Sequence, residues 1–118
     1  MLQLTPHMRL LVCVEPIDFR KGIDGLVRIC RETLAEDPFR GTVFVFRNRR
    51  ATAVKVLAYD GQGFWLCQKR LSTGRFGWWP EGGPGQALAA HELHVLLSAG
   101  DPRGVNAPAD WRPLAAAK

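Results

Sequence analysis

The sequence predicts an α+β domain: an antiparallel β-meander of about four strands, packed by one main helix and a shorter C-terminal helix. Three observations carry this expectation. Residues 42–46 (TVFVF), 53–59 (AVKVLAY) and 64–71 (FWLCQKRL) are apolar runs of strand length, joined by connections too short for a crossover. Ile23, Leu26, Val27, Cys30 and Leu34 recur at helical spacing on one face. Leu93, Leu96 and Leu97 repeat that pattern near the end of the chain. At 118 residues the chain is long enough to bury one core without staples. Residues 1–100 are expected to form the single domain and 101–118 a mobile tail, with Trp111 tacked onto the body.

The elements follow in order. Residues 9–14 (RLLVCV) read as a short buried strand that Pro16 stops. Asp18 is expected to cap the first helix with its carboxylate. Gly22 and Gly25 each cost that helix about 1 kcal/mol relative to alanine, and a close approach to a sheet is the expected return. Asp37, Pro38 and Gly41 supply turn chemistry. Residues 42–46 are apolar on both faces, as a covered central strand requires. Asn48-Arg49-Arg50 makes a hairpin connection, and Asp60-Gly61-Gln62-Gly63 is a strong turn signal. Residues 81–85 (EGGPG) read as a flexible break. The last helix, 89–99, starts on Ala89, which offers no capping oxygen, so its start is expected to fray. Gly100 is its expected stop.

Charge is distributed unevenly. Residues 39–79 carry eight basic side chains (Arg40, Arg47, Arg49, Arg50, Lys55, Lys69, Arg70, Arg75) against the single acid Asp60. The net +5 of the chain is therefore a central +7 and a flanking −2. The same segment holds nine of the eleven aromatic residues. Such a split points to a site for a polyanion. The apolar run 10–14 is too short to span a bilayer or serve as a signal-peptide core, which predicts a cytoplasmic protein. Cys13, Cys30 and Cys67 are odd in number and set in apolar runs, as reduced core thiols are.

Four stretches, 15–26 (EPIDFRKGIDGL), 37–50 (DPFRGTVFVFRNRR), 55–71 (KVLAYDGQGFWLCQKRL) and 74–80 (GRFGWWP), resemble the TnpB-type accessory protein of bacterial insertion sequences of family sixty-six. The resemblance covers roughly residues 9–100, with the motifs in order and suitably spaced. It implies support of transposition beside a separate, larger transposase. It supplies no catalytic residues. The chain departs from the family pattern at Ala89, where threonine is usual, and in the glycine-rich stretch 81–85.

Candidate nucleic-acid contacts are Arg47, Arg49 and Arg50 at the hairpin tip, where guanidiniums suit phosphate or guanine. A solvated loop is the alternative. Lys69, Arg70 and Arg75 form a second group with Trp78 and Trp79, whose rings could stack on bases or cover the sheet. Strand alternation separates Arg70 from Lys69. Phe44, Phe46 and Trp65 read as core. Lys21 extends the basic surface, and Arg20 is expected to pair with Asp24 one turn on. His91-Glu92-Leu93-His94 fails the zinc-protease pattern, which needs histidines four apart. Asp18, Asp24, Asp60, Glu81 and Glu92 are too scattered for a two-metal nuclease centre. No catalytic, metal or cofactor site is expected. The expected partner is DNA, met by a non-catalytic accessory factor. The alternative is an adaptor that docks on the element's transposase without touching nucleic acid.

Overall fold

The computed structural model describes residues 8–103. Trp111 and most of the expected tail lie outside the described residues. The described chain forms two helices and a five-stranded mixed sheet. Strand β1 spans Leu10–Cys13, β2 Val43–Arg47, β3 Ala53–Tyr59, β4 Phe64–Arg70 and β5 Gly85–Leu88. Helix α1 spans Ile23–Glu32 and α2 Ala90–Leu97. The strand order is β4-β3-β2-β1-β5.

Strands β2, β3 and β4 form the expected meander, Phe44 facing Leu57 and Leu57 facing Leu66. Two features depart from a purely antiparallel sheet. Strand β1 runs parallel to β2, Leu11 facing Phe44, because α1 lies between them in the chain and carries it back to the starting end. The stretch after the tryptophans adds an edge strand rather than ending in a flexible break. Gly82 and Gly83 turn with φ of 95° and 69°, and Gly85 then pairs with Cys13 to start β5.

The period of two along each strand divides the core. Leu11, Cys13, Phe44, Phe46 and Leu57 face one way and meet Leu26, Cys30 and Leu34 of α1 and the turn after it. Leu10, Val12, Val43, Val45, Val56 and Ala58 face the other way and meet Leu93 and Leu96 of α2. The helices thus cover opposite faces of the sheet. That explains the unbroken apolar runs of β1 and β2, which are buried on both sides. Phe44 and Phe46 are core as expected. Trp65 is not. The residue is 49% exposed, held by an indole N–H donated to Asp60 Oδ2 at 2.7 Å.

Helix α1 differs from its expected start. Its N-cap is Gly22, with no side-chain cap, and Asp18 stands in the preceding turn. There Asp18 Oδ1 accepts from the Arg20 backbone N–H at 2.9 Å, while its other oxygen pairs with the Arg20 guanidinium at 2.7 Å. Arg20 is therefore spent on Asp18, two residues away, rather than on Asp24. Gly25 gives no close approach to the sheet. A Cβ there would lie 3.0 Å from Lys21 Cβ, and one at Gly22 would meet open space.

Helix α2 lacks a capping side chain at Ala89, yet Glu92 reaches back and accepts from the Ala89 N–H at 2.8 Å. Its end is made by Ala99, in the left-handed region at φ 66°, with Gly100 N–H donating to Val95 O at 2.9 Å. Among the described residues, no helix is long and apolar enough to cross a membrane.

Candidate nucleic-acid interface

Backbone hydrogen bonds gather three segments at the end of the sheet where β1 and β2 finish. The Ile17 N–H donates to Arg47 O at 3.0 Å, tying the loop after β1 to the end of β2. Leu71 N–H donates to Thr52 O at 2.9 Å and Phe76 N–H to Ala51 O at 2.7 Å, folding the loop after β4 against the β2–β3 hairpin. These segments carry Arg20 and Lys21, Arg49 and Arg50, and Arg70 and Arg75, all exposed. Glu15, Asp18 and Asp24 are the acids of the same stretches, so six cations stand against three carboxylates. Among the described residues, Lys21, Arg49, Arg50, Arg70 and Arg75 make no ion pair. Arg20, Arg49 and Arg50 also line one open cleft of about 490 Å³ with Pro16, Phe19 and Asn48.

The hairpin is held in one shape. Asn48 Oδ1 accepts from the N–H groups of Thr52 and Ala53 at 2.9 and 3.1 Å, and its amide donates to Thr52 Oγ1 at 2.9 Å. Ala51 takes φ 58° to complete the turn. Arg49 and Arg50 are thus presented on a braced loop. Bracing lowers the entropy lost when such side chains meet a ligand.

Beneath this end lies Lys55, a charged residue in an otherwise apolar strand and 6% exposed. Its ammonium donates to the carbonyls of Phe19 and Lys21 at 2.8 and 2.9 Å and sits 4.8 Å from the Phe19 ring centroid. A buried ammonium is tolerated only when its donors are met. Here two main-chain carbonyls meet them, and the 18–21 turn is pinned to the sheet as a result. In the sequence Lys55 counted simply as part of the basic centre.

Four expected contact residues have structural partners instead. Arg47 shares its face of β2 with Val43 and Val45 and so turns inward, towards α2's side of the sheet. Its guanidinium lies 5.6 Å from the Trp79 ring centroid and donates to Val14 O at 3.4 Å, with Nε buried and unpartnered. The tip therefore presents two guanidiniums, not three. Lys69 lies on that same face and donates to Leu97 O at 2.7 Å, where a cation suits the C-terminal carbonyls of α2. Trp79 is half-buried, with its indole N–H bound to Cys13 O at 2.9 Å. Trp78 is half-buried beneath Arg103, 5.6 Å from its ring centroid.

Electrostatics follow from these contacts. Hydrogen bonds from the Arg20 side chain, then its backbone N–H, pull the Asp18 carboxyl down to about 2. Asp60 is lowered by the N–H groups of Gly63 and Gln62, with a further contribution from the Trp65 indole. Burial pushes the Cys30 thiol up to about 12 and raises that of Cys13. The Arg20 placement was open to sequence reasoning, because Asp-x-Arg in a turn favours a local Asx bond.

Comparison with known proteins agrees with the resemblance in the motifs. The family described as "IS66 Orf2 like protein" matches residues 8–107. The uncharacterized protein y4hO of Sinorhizobium fredii is 36% identical over 113 residues, 96% of each chain. The uncharacterized protein y4jC of the same organism is 33% identical over 91 residues, 77% of this chain and 78% of that protein. No solved structure matches. With a family match over nearly the whole described domain, the chain belongs to the IS66 Orf2-like family and is an insertion-sequence accessory protein.

Proposed function

We propose that the protein is a non-catalytic factor that assists transposition by binding DNA at the cationic end of its sheet. Arg49, Arg50, Arg70, Arg75 and Lys21 contact phosphates, and Arg20 joins them when Asp18 is outcompeted. The observation that supports this most is the gathering of unpaired cations from three separated segments onto one braced surface. Such cations can neutralise phosphates and so release the counterions condensed on a nucleic acid. Contacts to the phosphate backbone dominate in this reading, so sequence preference is weak.

Titration of a labelled duplex carrying an element end, repeated at several salt concentrations, tests the proposal. Each neutralised phosphate contributes about −0.9 to the slope of log K against log salt. Six cations therefore bound the slope near −5 on that scale. Micromolar or tighter binding at low salt, with a slope between about −3 and −5, is expected from the same rule. No binding at low salt contradicts the proposal, and so does a slope near zero. The adaptor reading survives that outcome if the transposase is captured by this protein after nuclease treatment.

A further inference from the structure

We infer that the free edge of β4 is a self-association surface, on which a second copy of this chain adds its own β4 antiparallel across a twofold axis. This inference does not need the DNA reading, although in the dimer Arg70 meets a ring and, among the described residues, Lys21, Arg49, Arg50 and Arg75 remain the unpaired cations of that end. Among the described residues, strand β4 is an edge of the sheet and spans seven residues, Phe64–Arg70, against four in the other edge strand, β5.

The hydrogen-bond phase of β4 is set by its neighbours. Leu71 N–H donates to Thr52 O and Gly63 O accepts from Asp60 N–H, so the odd-numbered residues of this stretch bond inward to β3. The N–H and C=O groups of Phe64, Leu66, Gln68 and Arg70 therefore point outward along the edge. Antiparallel self-pairing centred on Cys67 matches them throughout, Phe64 with Arg70 and Leu66 with Gln68. It uses all seven residues. A shift of two residues in either direction leaves some of them unpaired.

The side chains suit the same register. Each cation meets a ring, Arg70 beside Phe64 and Lys69 beside Trp65, and no like charges face one another. Lysine on an edge strand ordinarily blocks such pairing. Lys69 does not, because its ammonium is drawn onto the α2 face by Leu97 O. The half-exposed Trp65 ring gains a neighbour. Antiparallel pairing sends the two cationic ends to opposite ends of the joined sheet.

At the centre, Cys67 faces its own copy as a non-hydrogen-bonded pair. Such pairs have Cα atoms about 4.5 Å apart, within the span of roughly 4.4–6.8 Å that a disulfide bridges. Cys67 is thus a built-in reporter of the register.

Two measurements on the full chain decide the matter. Light scattering after size exclusion should give the mass of two chains at micromolar concentration. Gln68→Pro removes one outward N–H without touching the β3 ladder and should give the mass of one, with the circular dichroism spectrum retained. Diamide, which takes up the two thiol electrons, should link the wild-type dimer through Cys67. Cys67→Ser should abolish the link, and Cys13→Ser and Cys30→Ser should keep it. A single-chain mass for the wild type overturns the inference, as does a folded Gln68→Pro variant that remains a dimer. A chain that pairs only with some other protein's strand overturns it equally. If Gln68→Pro does not fold, the Cys67 link decides, and its failure to form sinks the proposal.

Discussion

The two ends of the sheet hold similar numbers of cations and treat them differently. At the end where β1 and β2 begin, Arg9 grips Glu36 with two hydrogen bonds of 2.7 and 3.0 Å. Arg40 lies 3.8 Å from Asp37 and Arg28 4.0 Å from Glu32. Arg31 sits 5.5 Å from the centroid of Phe39, itself packed with Tyr59 and Phe64 at centroid distances of 4.9 and 5.2 Å. Every arginine there meets a carboxylate or a ring. At the other end, among the described residues, Arg49, Arg50, Arg70 and Arg75 meet neither. A paired cation already neutralises a protein group, whereas an unpaired one is available to neutralise a phosphate and release the counterions condensed on the nucleic acid. The difference teaches that the number of basic residues in a segment does not locate a site. The partners that the fold assigns to them do.

The largest expected effect breaks this comparison directly. Alanine at Arg49, Arg50 and Arg75 together should make the salt slope shallower by about 2.7, at about 0.9 per contact, and weaken binding at 0.1 M salt by orders of magnitude. Alanine at Arg28, Arg31 and Arg40 should leave the slope as it was. Parallel titrations check both, and equal losses from the two triples would erase the distinction between the ends.

Lys55→Met should cost about 2–4 kcal/mol, because two charge-assisted hydrogen bonds of about 1.5–3 kcal/mol are lost against a smaller gain in apolar burial. Urea unfolding measures it. The same change unpins the 18–21 turn, so the Arg20 and Lys21 amides should exchange faster. By contrast, Arg9→Ala should cost about 1 kcal/mol, since Arg9 is exposed and Glu36 keeps some contact with water.

The smallest effect concerns Asp18. Its carboxyl is held at about 2, below the ordinary 3.8. The Asp18–Arg20 latch is therefore fully present above about pH 4 and is lost as the pH falls through 2. Carboxyl chemical shifts followed by NMR should show that titration. Asp18→Asn should release Arg20 and tighten DNA binding by a few-fold.

Legibility in the sequence tracked how local each contact is. The meander was readable because the Asp60–Gly63 turn and the Asn48 hairpin are closed by residues within five positions of one another. The parallel pairing of β1 with β2 was not, because it joins Leu11 to Phe44 across the whole of α1. Strand β5 was hidden by its composition, with GQAL following two glycines and a proline and drawing its partners from β1. The inward turn of Arg47 was legible in principle, since period two places it with Val43 and Val45. The hairpin motif masked it. Lys55 was hidden differently. Nothing near it in sequence announces that its ammonium reaches carbonyls more than thirty residues away.

The most direct test of the contrast between the two ends is a backbone amide map by NMR during addition of a short duplex. Shifts should concentrate at Arg20, Lys21, Arg49, Arg50, Arg70 and Arg75, while Gly61, Gln62 and the Trp65 indole stay still. Shifts centred on Phe39, Tyr59 and Trp65 instead, or none anywhere at low salt, would contradict the account.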